Sequence, residues 1–249
     1  MLLTICSGKG GVGKSVLSSN IAYQIAAMGS KVLLIDTDLM FPNLHLLFGI
    51  DPPLRLDDWL YKRATLDRVI VTINKNLSII AGSISAEDGE LVENFSFVDL
   101  YHEILLETDF DCVIVDTNAG VSNSLVEAAS ISDIVGVVVT DEPTSIVDAY
   151  GLTKILLDYC DTEAIKLLLN NVIDEEDARE IKQKLNKAMK HFLNITVDTL
   201  GSVPYDSVVR KSIVQQQLLS EMETNSEVIT AINRIARVVM THIETPIIL

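Results

Sequence analysis

Lys14 and Ser15, preceded by glycines at positions 8, 10, 11 and 13, are the residues whose types and spacing point most directly to chemistry. From Gly8 to Ser15 the chain reads G-x-x-x-x-G-K-S, and glycines without a Cβ let successive backbone N–H groups converge on a phosphate. In that arrangement Lys14 brings a point charge to the terminal phosphates and Ser15 brings a hydroxyl to a magnesium ion. The expected nucleotide contacts therefore run through Gly8, Lys9, Gly10, Gly11, Val12, Gly13, Lys14 and Ser15 to Val16.

Such a loop works between a strand and the positive end of a helix. The sequence supplies both. An apolar run at 2–6 precedes the loop, and a helical pattern over 16–28 follows, with Ile21, Ala22, Ile25 and Ala26 on one face and Gly29 as its stop. Residues 31–36 read as a second strand, buried on both faces, and it delivers Asp36 and Asp38 to the strand end where open α/β sheets collect ligands. Asp38 has a second reading, as the cap of a short helix. Residues 111–116 repeat the buried-strand shape, and the closing Asp116 is placed to hold water in a magnesium shell beside the loop.

The other elements follow from periodicity and punctuation. Pro52-Pro53 marks a turn, 54–61 a short helix, and 68–73 with 77–81 two strands around Asn74-Lys75-Asn76. Trp59 and Tyr61 read as core packing or as interface anchors. Helices are expected over 97–107 with Leu100, Ile104 and Leu105 inward, and over 175–192, 207–217 and 227–243; strands are expected over 134–140, 164–169 and 197–203. Thr144 or Ser145 is placed to cap the helix after Pro143. The fold class is α/β: one mostly parallel twisted sheet flanked by helices on both faces.

Lys9 adds a second lysine to the loop, and with it the stretch resembles the deviant phosphate loop of the MinD/ParA family, K-G-G-x-G-K-[ST]. Asp36 to Leu44 is similar to that family's D-x-D-x-x-x-x-N-L segment, Asp116 to Gly120 to its D-x-x-A-G switch, and Glu142 to Tyr150 to the E-P-T-S-x-x-D-A-Y run of flagellar-number regulators of the FlhG/FleN type. The resemblance implies a phosphate-loop NTPase of the SIMIBI type that binds ATP and Mg²⁺, pairs as a homodimer on ATP, and hydrolyses it slowly as a switch controlling the placement or number of a cellular structure. It implies that Lys9, Lys14 and Asp38 are catalytic: Lys9 reaches the nucleotide of the partner subunit, and Asp38 sets the attacking water. Ser15, Asp36 and Asp116 fall to the metal. Asn170 or its neighbour Asn171 would read the adenine, and Pro204 and Asp206 would border it. A flagellar or polar regulator, or a GTPase, is the implied protein partner. A ParA-type partition ATPase and an ATP-dependent amidotransferase-like enzyme sharing the loop are the alternatives.

Composition narrows the field. The 249 residues suit one domain spanning 1–249, with a core at 1–245 and a short tail at 246–249, although length alone also allows two small domains. With 48% hydrophobic and 22% charged residues a sizeable core is available. A net charge of −16 disfavours DNA and anionic lipid as partners without a local basic patch, and the cluster at 182–190 is diluted by uncharged residues. Cys6, Cys112 and Cys160 are widely spaced in apolar surroundings and read as buried free thiols, none in a switch loop. No signal-peptide pattern precedes the loop and no apolar run is long enough to span a bilayer, so a cytoplasmic location is expected. The tail after Pro246 is too short to anchor by itself, so membrane binding is expected to be weak.

Overall fold

Short apolar runs alternate with amphipathic helices from residue 2 onward, and the chain can bury both only by layering helices against a sheet. A computed structural model describes residues 1–39, 41–82, 95–222 and 225–244; Met40 of the Asp36 segment and the tail at 246–249 lie outside them. The strands are β1 (Leu2–Ser7), β2 (Val32–Asp36), β3 (Ile70–Thr72), β4 (Leu77–Ile80), β5 (Cys112–Ala119), β6 (Ile134–Val139), β7 (Ile165–Val172) and β8 (Asp198–Pro204). They form one sheet in the order β3-β4-β2-β5-β1-β6-β7-β8. Among the described strands β3 alone runs antiparallel, against β4.

The longer helices are α1 (Lys14–Ala27), α5 (Phe97–Glu107), α6 (Asn123–Ser130), α7 (Pro143–Leu156), α8 (Glu175–Leu193), α9 (Ser207–Gln215) and α10 (Glu227–Glu244), with α2 (Leu44–Leu47), α3 (Leu56–Leu60) and α4 (Leu66–Val69) as single turns. Alternation along the strands sorts side chains to the two faces. Leu3 and Ile5, Val32 and Leu34, and Cys112 and Ile114 pack in one layer with α1 and α10. Leu33, Ile35, Val113 and Val115 face the opposite way, onto Phe97, Leu100 and Ile104 of α5. Farther along that second face, Val135, Val137 and Val139 meet Leu152 and Leu156 of α7 and Ile181 and Leu185 of α8.

Register places the chemistry. Asp36 lies directly opposite Asp116 in the β2–β5 pairing, and Asp116 lies opposite Ile5 of β1. Between Ile5 and Ser7 the β1–β5 register slips, so that Ser7 meets Ala119. The strand with the carboxylate thereby carries one extra residue, a bulge at the point where β1 turns into the glycine loop.

Three local expectations are corrected. Leu105 is 59% exposed while Leu100 and Ile104 are buried, because one residue past Ile104 the helix has turned by about 100°. Arg68 belongs to α4, not to a strand: Leu66 and Val69, spaced three apart, are both buried, and the extended run begins at Ile70. Cys160 is partly exposed, while Cys6 and Cys112 are buried; all three are free thiols. Among the described residues no helix is long and apolar enough to cross a membrane.

The layering makes a direct comparison possible. Ile35→Ala, which empties a fully buried position, is expected to cost about 2–5 kcal/mol in denaturant unfolding. Leu105→Ala is expected to stay within about 0.5 kcal/mol of the parent chain.

Candidate functional site

A cavity of about 500 Å³ opens beside the loop and is lined by Gly10, Gly11, Gly13, Lys14, Ser15 and Val16, facing Asp36, Asp38 and Asp116. Its floor is the start of α1. Gly13 is the residue before the first turn, with no side-chain cap and no acidic residue in that turn. The first N–H groups of α1 are thus left without a side-chain acceptor, and the dipole adds positive character at the same place.

Two glycines in the loop answer to packing as much as to phosphate. Gly13 has φ 93°, and a Cβ there would stand 2.4 Å from the Asn170 amide nitrogen, which donates to the Val12 carbonyl at 2.7 Å. Gly8 does not line the cavity; a Cβ there would lie 2.5 Å from the carbonyl oxygen of Asp148 in α7. Val12 itself is buried in the α1 core. Lys14 is buried, its ammonium donating to the Ser7 hydroxyl at 3.0 Å.

The carboxylates differ in how they are held. Asp36 accepts the N–H of Asp38 at 3.0 Å on one oxygen, and those of Asn43 at 3.2 Å and Leu44 at 3.1 Å on the other. This is how the chain after β2 is folded back over the cavity. Burial raises the Asp36 carboxyl well above the ordinary range and the facing Asp116 adds to the rise, against the pull of these N–H groups. Burial likewise raises Asp116, opposed by the Ser15 hydroxyl and the Lys14 ammonium. One oxygen of Asp116 is buried with no hydrogen-bond partner. An unsatisfied carboxylate oxygen, a second carboxylate opposite it and the Ser15 hydroxyl suit a magnesium ion that keeps most of its water. Asp38 lines the cavity and also accepts the Phe41 N–H at 2.9 Å, so its carboxylate closes a turn.

Lys9 points the other way. In the single chain its ammonium is paired with Glu142 and donates to the Thr144 hydroxyl at 2.9 Å. The E-P-T-S run is thereby bound to the loop, and its expected capping role is corrected. Glu142 is the residue preceding α7, which begins at Pro143 with no side-chain cap; Ser145 instead accepts the Thr140 N–H at 3.0 Å. Proline is favoured at a helix start because its missing N–H is not needed there. Gly120, the glycine that closes the D-x-x-A-G switch, donates its N–H to the Ser7 carbonyl at 2.9 Å.

The adenine-side residues are not gathered at this cavity. Asn170 is committed to Val12 through its amide nitrogen. Asn171 lines a second cavity of about 400 Å³ with Tyr205 and Glu142. Pro204 ends β8, and Asp206 caps α9 by accepting the Val208 N–H at 2.9 Å and takes the Ser226 hydroxyl at 3.0 Å. Sequence reasoning assigned no site role to Asn43, Leu46, Leu47, Thr117, Ile213 and Gln216, all of which line the main cavity. It also overlooked Gly82, where a Cβ would lie 2.9 Å from the Asp38 carbonyl. Asn43 carried a signal as the asparagine of the D-x-D segment, and the resemblance continued through Leu46 and Leu47.

Residues 3–219 match the family described as "CobQ/CobB/MinD/ParA nucleotide binding domain". The antiactivator FleN of Pseudomonas aeruginosa is 31% identical over 95% of this chain and 85% of its own length. The flagellum site-determining protein YlxH of Helicobacter pylori is 28% identical over 98% of this chain and 83% of its own. Among solved structures, the septum site-determining protein MinD of Pyrococcus horikoshii, complexed with Mg-ADP, superposes with a TM-score of 0.78 at 25% identity over 99% of both chains.

Because the folded chain keeps the Asp116 proton to higher pH than the unfolded chain does, the folded state binds more protons in the window from 3.8 to about 6. The stability this leaves is present at acid pH and is lost as the pH rises through the folded value. Asp116→Asn removes that loss. It is expected to raise the melting temperature of the nucleotide-free chain by on the order of 5 °C at neutral pH, and the gain should disappear when the pH is lowered to the ordinary carboxyl range. Calorimetric melting across the pH series checks this.

Proposed function

The chain belongs to the CobQ/CobB/MinD/ParA nucleotide-binding family, and on that ground we propose that it is an ATP-dependent dimerising switch with slow hydrolysis, of the kind that controls where or how many of a cellular structure are built. One observation carries the reading: Lys14, Ser15, Asp36 and Asp116 converge on a single cavity at the uncapped start of α1. The flagellar name of the Helicobacter pylori relative, with the E-P-T-S run from Glu142, favours a flagellar or polar protein partner over DNA, in keeping with a net charge of −16. Residues 1–249 are taken to act as one unit.

In this reading the α1 N–H groups and Lys14 bind the phosphates, and Ser15, Asp36 and Asp116 hold the magnesium ion and its waters. Bound magnesium supplies charge to offset the phosphates. Asp38 lies on the same cavity wall, where its carboxylate orients the attacking water. Lys9 must leave Glu142 and Thr144 to serve the nucleotide of a second copy, so pairing exchanges an intrachain ion pair for an intersubunit contact with phosphate. A partly exposed pair of this sort is worth only about 0.2–1 kcal/mol, small enough for ATP binding to overcome. Nucleotide state and subunit pairing are then one equilibrium, reset by hydrolysis.

Turnover and solution mass, measured with Mg-ATP for three variants, test the reading. Lys14→Ala is expected to stay monomeric and to lose turnover by about a hundredfold or more. Asp38→Ala should bind ATP and accumulate as a dimer that does not turn over. Lys9→Ala should bind nucleotide as a monomer. Equal turnover in all three, or a parent mass unchanged by ATP, sinks the proposal.

A further inference from the structure

Ser7 lies outside the G-x-x-x-x-G-K-S pattern, yet its side chain touches both lysines of the loop region. It is the last residue of β1 and is completely buried. Its hydroxyl donates to the Lys9 carbonyl at 2.7 Å and accepts from the Lys14 ammonium at 3.0 Å. Its own carbonyl takes the Gly120 N–H at 2.9 Å, just past the bulge that sets Ser7 opposite Ala119. The backbone of Ser7 is therefore pinned, and the side chain has little freedom left.

We propose that Ser7 is a positioning residue for Lys14, holding its ammonium over the loop in the nucleotide-free chain and fixing the Lys9 peptide with the same hydroxyl. The argument is one of hydrogen-bond inventory. A serine hydroxyl has a single proton, and here it is given to the Lys9 carbonyl, so the oxygen lone pairs face Lys14, which has only donors. Without that acceptor, Lys14 shares its cavity with the buried carboxylates of Asp36 and Asp116, and the low-dielectric surroundings make them strong competitors for the ammonium. A lysine drawn down onto those carboxylates would have to be pulled away before a phosphate could use it. Ser7 removes that step, since a neutral acceptor orients the charge but yields it readily to an anion. The Lys9 carbonyl bound to the same hydroxyl begins the segment whose side chain reaches Glu142 and Thr144, so loss of the hydroxyl loosens both lysines together.

The inference rests on Lys14 as a phosphate contact, and two readouts separate the claims. In protein labelled with ¹⁵N-lysine and free of nucleotide, the Lys14 ammonium should give a protected NMR signal that Ser7→Ala abolishes and Ser7→Thr restores. ADP affinity, measured by calorimetry, should fall about tenfold in Ser7→Ala, with the melting temperature nearly unchanged, and should recover in Ser7→Thr. Should Ser7→Ala not fold, Ser7→Thr and Ser7→Val, equal in bulk, isolate the hydroxyl. A Lys14 signal and ADP affinity that survive loss of the hydroxyl overturn the proposal, as does a loss of affinity that Ser7→Thr shares with Ser7→Val. A signal that depends on Ser7 in a parent chain that binds no ADP supports the contact with Lys14 and refutes the nucleotide reading instead.

Discussion

The first turn of α1 leaves N–H groups that no side chain caps, and the centre of the molecule is arranged about that positive end. Carboxylates near it are held off by the backbone rather than allowed to fill it. Asp36 spends its oxygens on three N–H groups of the chain that follows β2, and Asp38 accepts one from its own turn. Loop, strand ends and helix start together form a pocket in which Asp36 and Asp38 are turned to backbone partners, while Asp116 keeps one oxygen without a partner. This division depends on the strand pairing, because the β2–β5 register brings Asp36 opposite Asp116. A slip of one residue would send one of the two to the other face of the sheet.

Most of the architecture was legible because parallel strands buried on both faces read as unbroken apolar runs and their helices carry a clear period. The span of α5 was recovered residue for residue. Two of the failures are matters of position: Leu105 misses by one step of helical phase, and the 68–69 segment by one buried turn. At the site, the loop and the strand-end carboxylates were legible because chemistry fixes their spacing. Ile213 and Gln216 were not, because α9 reaches the cavity through tertiary packing against the chain after α2, as the contact between Gly49 and the Gln216 carbonyl shows. Asn170 was singled out through the resemblance, as a residue that reads the adenine; its contact with Val12, more than a hundred residues away in the sequence, leaves no periodic trace.

Electrostatics gives the site a definite bias. Burial favours protonated carboxyls at Asp36 and Asp116, whereas a divalent cation favours their ionised forms. Under the proposed function, binding of a metal would therefore also release protons and would give the partnerless oxygen of Asp116 the contact it lacks. Burial pushes the thiols of Cys6 and Cys112 up to about 12, which keeps them inert.

The close approach of Gly8 to the Asp148 carbonyl has a mechanical side. Where two segments meet through side chains, rotamer changes absorb small displacements; here main chain rests on main chain, with no cushion between them. Near this contact Glu142 and Thr144 grip Lys9, so α7 is tied to the loop at Thr144 and at Asp148, about one turn apart. A displacement of α7, whose outer surface carries the exposed Val147, would therefore meet the loop with little side-chain slack to absorb it.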